Sequence, residues 1–261
     1  MFGMQAIPEG RLWRSAIAPA KFLGPDEVWV WWASLRQSPE RLAGLTETLS
    51  VEERERAARF RFPQHRDRFI AGRGLLRELL EACLSRPAAA FCFDRGLHGK
   101  PTLAGIEGTL GLHFNLSHSG DRALYALARH DVGVDLECHD RNLQMAAIRD
   151  RVCTAREVAV LKNGPFDQQR EAFFACWTRK EAIAKALGGG LASGLQKLEV
   201  CIEETTPPKG RVCLRDDEGR QWSVLSLPVG VGWSGALAAV GWRWRWKVWD
   251  PRDRLFDQSE G

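Results

Sequence analysis

The chain repeats a set of local sequence features at one fixed spacing, and this repeat constrains the fold more than any other feature. Capping boxes, in which Ser or Thr is followed three residues later by Glu, occur at residues 50–53 and 154–157. Such boxes are typical of helix N-termini. The tripeptide Phe-Ile-Ala at 69–71 recurs as Phe-Phe-Ala at 173–175, so both pairs are 104 residues apart. We therefore predict a duplicated unit that contains helices.

A strand-rich region follows each helical block, at residues 112–129 in the first half and 222–246 in the second. Helices and strands that are grouped in this way favour an α+β fold. The two halves would meet near residues 129–131, so we predict an N-terminal α+β half at 1–130 and a C-terminal α+β half at 131–261.

The sequence of residues 177–191 predicts a helix that carries candidate functional residues on one stripe. Trp177, Glu181 and Lys185 follow one another at intervals of four residues, which places them on one stripe of a helix. Three consecutive glycines at 188–190 would end the helix. An ordinary surface helix with a Glu–Lys pair explains this segment by itself equally well.

Residues 131–137 alternate apolar and acidic side chains and predict a strand. Asp135 and Glu137 would share one face. An edge strand with a solvated acidic face is the simpler interpretation, but neighbouring carboxylates repel each other unless a cation or solvent screens them. If Glu181 joins them, the three carboxylates form a set of oxygen ligands suited to Mg²⁺.

Two upstream segments carry candidate anion-binding residues. Gly-Lys-Pro at 99–101 predicts a turn that presents Lys100, and residues 114–120 predict a strand that runs into a polar turn and presents His118. A lone lysine in a turn is usually only solvated, and a lone histidine is more often structural.

Composition excludes several classes of protein. A net charge of +4 and a pI near 8.8 are too mildly basic to imply a nucleic-acid-binding protein, but they suit an acidic ligand or partner. Seven scattered cysteines without a C-x-x-C pair indicate reduced thiols in a cytoplasmic protein. No signal peptide and no membrane-spanning apolar run is apparent.

Four segments in this order resemble the Sfp-type 4′-phosphopantetheinyl transferases. That family carries a G-K-P turn, an (N/I)-S-H-S segment, a G-(V/I)-D-(I/L)-E strand and a helix with W-x-x-K-E-A-x-x-K-A-x-G-x-G-L. The corresponding segments here are 99–101, 115–119, 133–137 and 177–191, and the last matches at every specified position. The resemblance spans roughly residues 28–245. It implies two α+β halves related by a pseudo-twofold duplication, with the active site in the cleft between them.

The resemblance implies a specific reaction. Such enzymes transfer 4′-phosphopantetheine from coenzyme A to a serine of an acyl or peptidyl carrier protein and release adenosine 3′,5′-bisphosphate. The reaction depends on Mg²⁺, and Mn²⁺ is a possible substitute. We expect a cytoplasmic monomer with no nucleic-acid or membrane partner. The alternative is a non-catalytic module that binds coenzyme A or a carrier protein.

The resemblance also assigns catalytic residues. Asp135, Glu137 and Glu181 would be the metal ligands. Glu181 could instead accept the serine proton, directly or through a metal-bound water, and Glu157 is a second candidate base whose alternative role is to close the capping box. Lys185 would neutralise phosphate charge, and Lys180 is a weaker candidate for that role or for proton transfer.

Residues for coenzyme A follow from the same motifs. The expected contacts are Lys100, Pro101, Ser117, His118 and Lys185, together with the arginines Arg56, Arg68 and Arg73. Whether Arg66 or Arg68 contacts phosphate is left open. The chain departs from the family at Glu53, where a basic residue is common, and Glu53 cannot bind phosphate.

Overall fold

The computed structural model describes residues 23–96, 100–140, 145–188, 196, 198–200, 212–215, 219–241, 243–250 and 254–257. Gly99 and residues 189–191 of the predicted motifs lie outside these ranges. In chain order the helices are α1 (Pro39–Thr48), α2 (Val51–Ala58), α3 (Pro63–Leu84), α4 (Gly105–Gly108), α5 (Met145–Val152), α6 (Ala155–Asn163) and α7 (Gln169–Leu187). The strands are β1 (Glu27–Ser34), β2 (Phe93–Arg95), β3 (Pro101–Leu103), β4 (His113–Ser119), β5 (Arg122–Ala128), β6 (Val132–Cys138), β7 (Val212–Arg215), β8 (Gln221–Leu227), β9 (Trp233–Val240), β10 (Arg245–Asp250) and β11 (Arg254–Asp257).

Two main sheets organise the described residues. The first has the strand order β11-β10-β1-β5-β4, in which β1 is parallel to β10 and antiparallel to β5. The second is antiparallel, with the order β6-β9-β8-β7, and β2 and β3 form a separate hairpin. The prediction of a mixed α+β fold is confirmed.

The sheets pack face to face, and each has a long helix on its outer face. Val28 and Val30 of β1 lie in the same apolar core as Val132 and Val134 of β6. The alternate residues of β1, such as Trp29, face α3 in a second core, and α7 packs on the outer face of the second sheet in a third. Period-two alternation in the strands therefore feeds two cores at once.

Both predicted capping boxes are formed. The Ser50 hydroxyl accepts a hydrogen bond from the Glu53 amide at the start of α2, and the Glu53 carboxylate accepts from the Ser50 amide. Thr154 and Glu157 make the same reciprocal pair at the start of α6. The predicted end of the helix in residues 177–191 is also confirmed. Helix α7 stops at Gly188, whose φ of 66° is costly for residues with a side chain.

The long helix α7 lies very close to β6. A Cβ atom on Gly133 would be 2.1 Å from the carbonyl oxygen of Ala182 and 2.4 Å from the amide nitrogen of Ala186. Only glycine therefore permits this approach, which brings the polar stripe of α7 onto the strand. Among the described helices, none is both long enough and apolar enough to cross a membrane.

We predict that Gly133→Ala lowers the free energy of unfolding by about 1–3 kcal/mol or more, because overpacking against backbone atoms cannot be relieved by a rotamer change. The control is Gly44→Ala in α1, where an added Cβ meets nothing within 4 Å. Removing a helical glycine there should raise stability by about 0.5–1 kcal/mol. Urea denaturation of both variants tests this, and an unchanged midpoint for Gly133→Ala would contradict the close approach.

Candidate active site

Three carboxylates meet between β6 and α7. Asp135 and Glu137 lie on the same face of β6 as Gly133, and this face packs against α7. Their exposed fractions are 3% and 8%. Glu181 lies half-buried on the opposing helix. Burial, followed by the charge of Asp135, raises the pKa of Glu181 above its ordinary value, although the Lys185 ammonium opposes this shift. The structure thus brings together the three acids that the sequence singled out.

Lys185 contacts this cluster directly. Its Nζ lies 2.6 Å from Asp135 Oδ1 and donates to the Ser117 hydroxyl at 2.8 Å. The sequence predicted that Lys185 would serve a phosphate one turn further along the helix. Here it pairs with a carboxylate, because Asp135 presents a buried negative charge within reach, and the lysine side chain keeps 31% of its surface exposed.

The two oxygens of the Asp135 carboxylate have different surroundings. Oδ2 is buried and makes no hydrogen bond within the residues that the structure describes. Burial raises the pKa of Asp135 above its ordinary value, while the charge of Lys185 and hydrogen bonds from Lys185 and Ser117 pull it back. Burying a carboxylate oxygen without a partner is costly, and a cation bound at this atom would remove that cost.

Strand β4 supplies polar side chains to the same cluster. Ser117 donates to Asp135 Oδ1 and Ser119 donates to Glu137 Oε2, both at 2.8 Å. Ser119 and Asn115, which lie on the same strand, were not predicted as site residues from the sequence. The sequence signal was a polar residue at every second position, 115, 117 and 119, of a predicted strand. In the structure all three side chains are buried. His118, between the two serines, is exposed.

Glu157 lies in a different environment. It closes the capping box of α6, accepts a hydrogen bond from the Val200 amide at 2.8 Å, and pairs at 2.5 Å with the fully buried ammonium of Lys180. Lys180 also donates to the carbonyl of Val152. Glu157 therefore has the structural role that the sequence offered as an alternative, and its role as a base stays a prediction. The Lys180 ammonium binds groups in the protein interior.

Lys100 is bound to backbone carbonyls. Its Nζ donates to Val132 and to Ala186, each at 3.2 Å, so it joins the start of β6 to the last turn of α7. A cation at a helix C-terminus is favourable. Burial lowers the pKa of Lys100, and nearby Asp131 opposes this change. The phosphate contact expected for Lys100 stays a prediction.

The arginines considered as coenzyme A contacts divide into two groups. Arg56 and Arg73 line a cavity of about 420 Å³ together with Phe93 and Pro101. Arg68 instead pairs with Asp121, and Arg66 pairs with the adjacent Asp67. Of the predicted coenzyme residues, Arg56, Arg73 and Pro101 therefore share one cavity, and Arg68 is not among its lining residues.

Glu53 has a role that the sequence did not predict. Its carboxylate binds Arg73 and the fully buried Arg77, each at 2.7 Å. Burial opposes its ionisation, but the two guanidinium groups outweigh this effect and hold the pKa of Glu53 below its ordinary value. Glu53 therefore fixes arginine side chains in the cavity wall.

Sequence comparison agrees with this arrangement. The model for the "4′-phosphopantetheinyl transferase superfamily" matches residues 131–240, and that for "4′-phosphopantetheinyl transferase, N-terminal" matches residues 32–130. A 4′-phosphopantetheinyl transferase of Nostoc sp., HetI, is 37% identical over 86% of this chain and 92% of its own length. The chain belongs to the 4′-phosphopantetheinyl transferase superfamily.

More distant relatives carry related names. The 4′-phosphopantetheinyl transferase psf-1 of Bacillus pumilus is 31% identical over 65% of this chain and 70% of its own length. The L-aminoadipate-semialdehyde dehydrogenase-phosphopantetheinyl transferase of Xenopus laevis is 29% identical over 66% of this chain and 62% of its own. The family resemblance drawn from the motifs is confirmed, and with it 4′-phosphopantetheinyl transferase activity. The alternative of a non-catalytic module gains no support from these relatives.

We predict that Glu157→Gln destabilises the protein by about 3–5 kcal/mol, because it removes the carboxylate that pairs with the buried Lys180 ammonium. Turnover measured below the melting temperature should stay near that of the wild type. The control is Glu199→Gln, which breaks an exposed ion pair with Arg156 and should cost at most about 1 kcal/mol. If kcat of folded Glu157→Gln instead fell by about 10²–10⁴, Glu157 would be the base.

Proposed function

We propose that this chain transfers 4′-phosphopantetheine from coenzyme A to a carrier-protein serine at the carboxylate cluster between β6 and α7. The observation that carries this location is the buried, unpartnered Oδ2 of Asp135 beside Glu137 and Glu181. Three carboxylates and an orphaned oxygen fit Mg²⁺, a hard cation that takes oxygen ligands and shares its coordination with substrate phosphates. When bound there, the ion supplies charge neutralisation for the pyrophosphate of coenzyme A and for the leaving group.

The protein groups divide the remaining work. Glu181 is assigned as the acceptor of the proton of the attacking serine, because it lies half-buried on α7 within the carboxylate cluster. Lys185 has three N–H donors and gives two to Asp135 and Ser117, which leaves one for a phosphate oxygen. The proton acceptor was left open by the sequence, and the placement of Glu157 beside Lys180 favours Glu181.

Coenzyme A would span the two halves. The 3′-phosphate end is assigned to the cavity whose lining includes the guanidinium groups of Arg56 and Arg73. His118 is exposed on β4, the strand whose serines contact the carboxylate cluster. Lys100 supports this route indirectly, because it ties β6 to α7.

The two halves share an arrangement that supports their origin by duplication. The orders β1-β5-β4 and β6-β9-β8 are equivalent, and Val28 pairs with Ala128 as Val132 pairs with Ala239. Each capping-box glutamate is bound by a basic residue of the following long helix, Arg77 of α3 and Lys180 of α7. We infer a pseudo-twofold pair of units with a boundary near residues 130 and 131.

The expected setting is a cytoplasmic monomer. Five cysteines in the described part of the chain are free thiols, as in a reducing compartment. The substrates assigned here are coenzyme A and an acyl or peptidyl carrier protein. Neither a nucleic acid nor a membrane enters this assignment.

Asp135→Ala and Glu181→Ala should each reduce the transfer rate by about 10²–10³, because each removes a preorganised charge from the reaction centre. Transfer is measured as the mass gain of an apo carrier domain incubated with coenzyme A. EDTA should silence the wild type, and added Mg²⁺ or Mn²⁺ should restore it. Normal turnover by Asp135→Ala would place the reaction elsewhere.

The wild type should prefer coenzyme A to 3′-dephospho-coenzyme A, and Arg56→Ala and His118→Ala should reduce that preference by about 10–100-fold, mainly through KM, since each loses a charge-assisted contact. The matched control is Arg59→Ala, which removes an exposed arginine that pairs with Glu55 on the same helix. Equal discrimination by all four proteins would show that the 3′-phosphate binds at another position.

A further inference from the structure

Strands β4 and β6 belong to different sheets, yet side chains of one bind the backbone of the other. Three polar residues of β4 accept hydrogen bonds from amides of β6, and each pair is 19 residues apart. The pairs are Asn115 with Val134 at 2.9 Å, Ser117 with Leu136 at 3.3 Å, and Ser119 with Cys138 at 3.1 Å. Because the spacing is constant, the three contacts form a regular row, which we call the seam between β4 and β6.

The two serines have a second task that the asparagine lacks. Ser117 donates to Asp135 and Ser119 donates to Glu137, in each case to the residue 18 positions further along the chain. A hydroxyl can both accept and donate hydrogen bonds, whereas an amide oxygen only accepts. The residue 18 positions after Asn115 is Gly133, which has no side chain to hold. An acceptor is therefore sufficient there.

We propose that Asn115, Ser117 and Ser119 form a rail that positions the carboxylates of β6, and that Ser119 is the positioning residue that orients Glu137 towards a divalent cation. The pattern Asn-x-Ser-x-Ser on β4 matches Gly-x-Asp-x-Glu on β6 residue by residue. This inference rests on the metal assignment proposed above. Its new content is the hydroxyl that holds a metal-binding carboxylate in place.

Ser119 gives the clearest test of the rail. Asp135 Oδ1 receives Lys185 as well as Ser117, so loss of the Ser117 hydroxyl would leave one partner in place. Ser117 is also a candidate contact of coenzyme A. Ser119 is 5% exposed and its hydroxyl binds both the Cys138 amide and Glu137. Groups that orient metal ligands typically contribute 10–100-fold to metal affinity or activity.

The experiment measures Mn²⁺ binding by electron paramagnetic resonance, without coenzyme A or carrier protein. Ser119→Ala should bind Mn²⁺ about 10–100-fold more weakly than the wild type. Ser119→Thr keeps the hydroxyl and should restore affinity towards the wild-type value. Asp135→Ala, measured alongside, identifies the signal that belongs to the carboxylate cluster.

The control is Ser223→Ala, which truncates another buried strand serine whose hydroxyl donates to the Gly241 carbonyl at 2.7 Å. This variant should lose stability to a similar extent and keep wild-type Mn²⁺ affinity. If Ser119→Ala does not fold, Ser119→Cys replaces it, since a thiol has nearly the same shape but is a weak donor and acceptor. That variant should also bind Mn²⁺ more weakly than the wild type.

The possible failures are distinguishable. If the wild type binds Mn²⁺ and Ser119→Ala binds it equally well, the positioning role is wrong while the metal assignment stands. If Ser223→Ala loses as much affinity as Ser119→Ala, the effect is one of general stability and the proposal is overturned. If the wild type itself binds no Mn²⁺, the metal assignment fails, and the positioning role fails with it.

Discussion

The hydrogen-bonded seam between β4 and β6 is the interaction on which the functional architecture depends. The exposed edge of a sheet presents unpaired amides, and burying such amides without partners is costly. Asn115, Ser117 and Ser119 satisfy three of them with side-chain oxygens. The seam thereby joins the edges of two sheets. Through its two serines it also holds the Asp135 and Glu137 carboxylates of β6.

A second constraint acts from the other side of β6. Gly133 lets α7 approach within backbone contact, and this approach sets Glu181 and Lys185 over Asp135. The Lys185 ammonium pairs with Asp135, and Glu137 and Glu181 lie beside that pair. Rigid elements on both sides keep the repelling groups together. Such strain is tolerated where a cation or a charged transition state is to be stabilised.

The two capping boxes show how one local device acquires different roles. Glu53 and Glu157 both close a box and both bind a basic side chain of the next long helix. In the first half the partner arginines border a cavity, so Glu53 orders the wall of a candidate phosphate site. In the second half the partner lysine is wholly buried, and Glu157 stabilises the interior.

The sequence by itself determined the α+β class, both helix starts, the end of α7 and the family, because caps, glycine stops and short motifs are local. It also identified Asp135, Glu137 and Glu181 as a set, since their types and spacing carry the chemistry. Only the tertiary structure decided that Lys100 binds carbonyls, that Lys185 pairs with Asp135, and that Ser119 holds Glu137. Those roles depend on which strand edges and helix ends meet. Burial and charge pairing between segments far apart in the chain fix such contacts, and no local pattern records them.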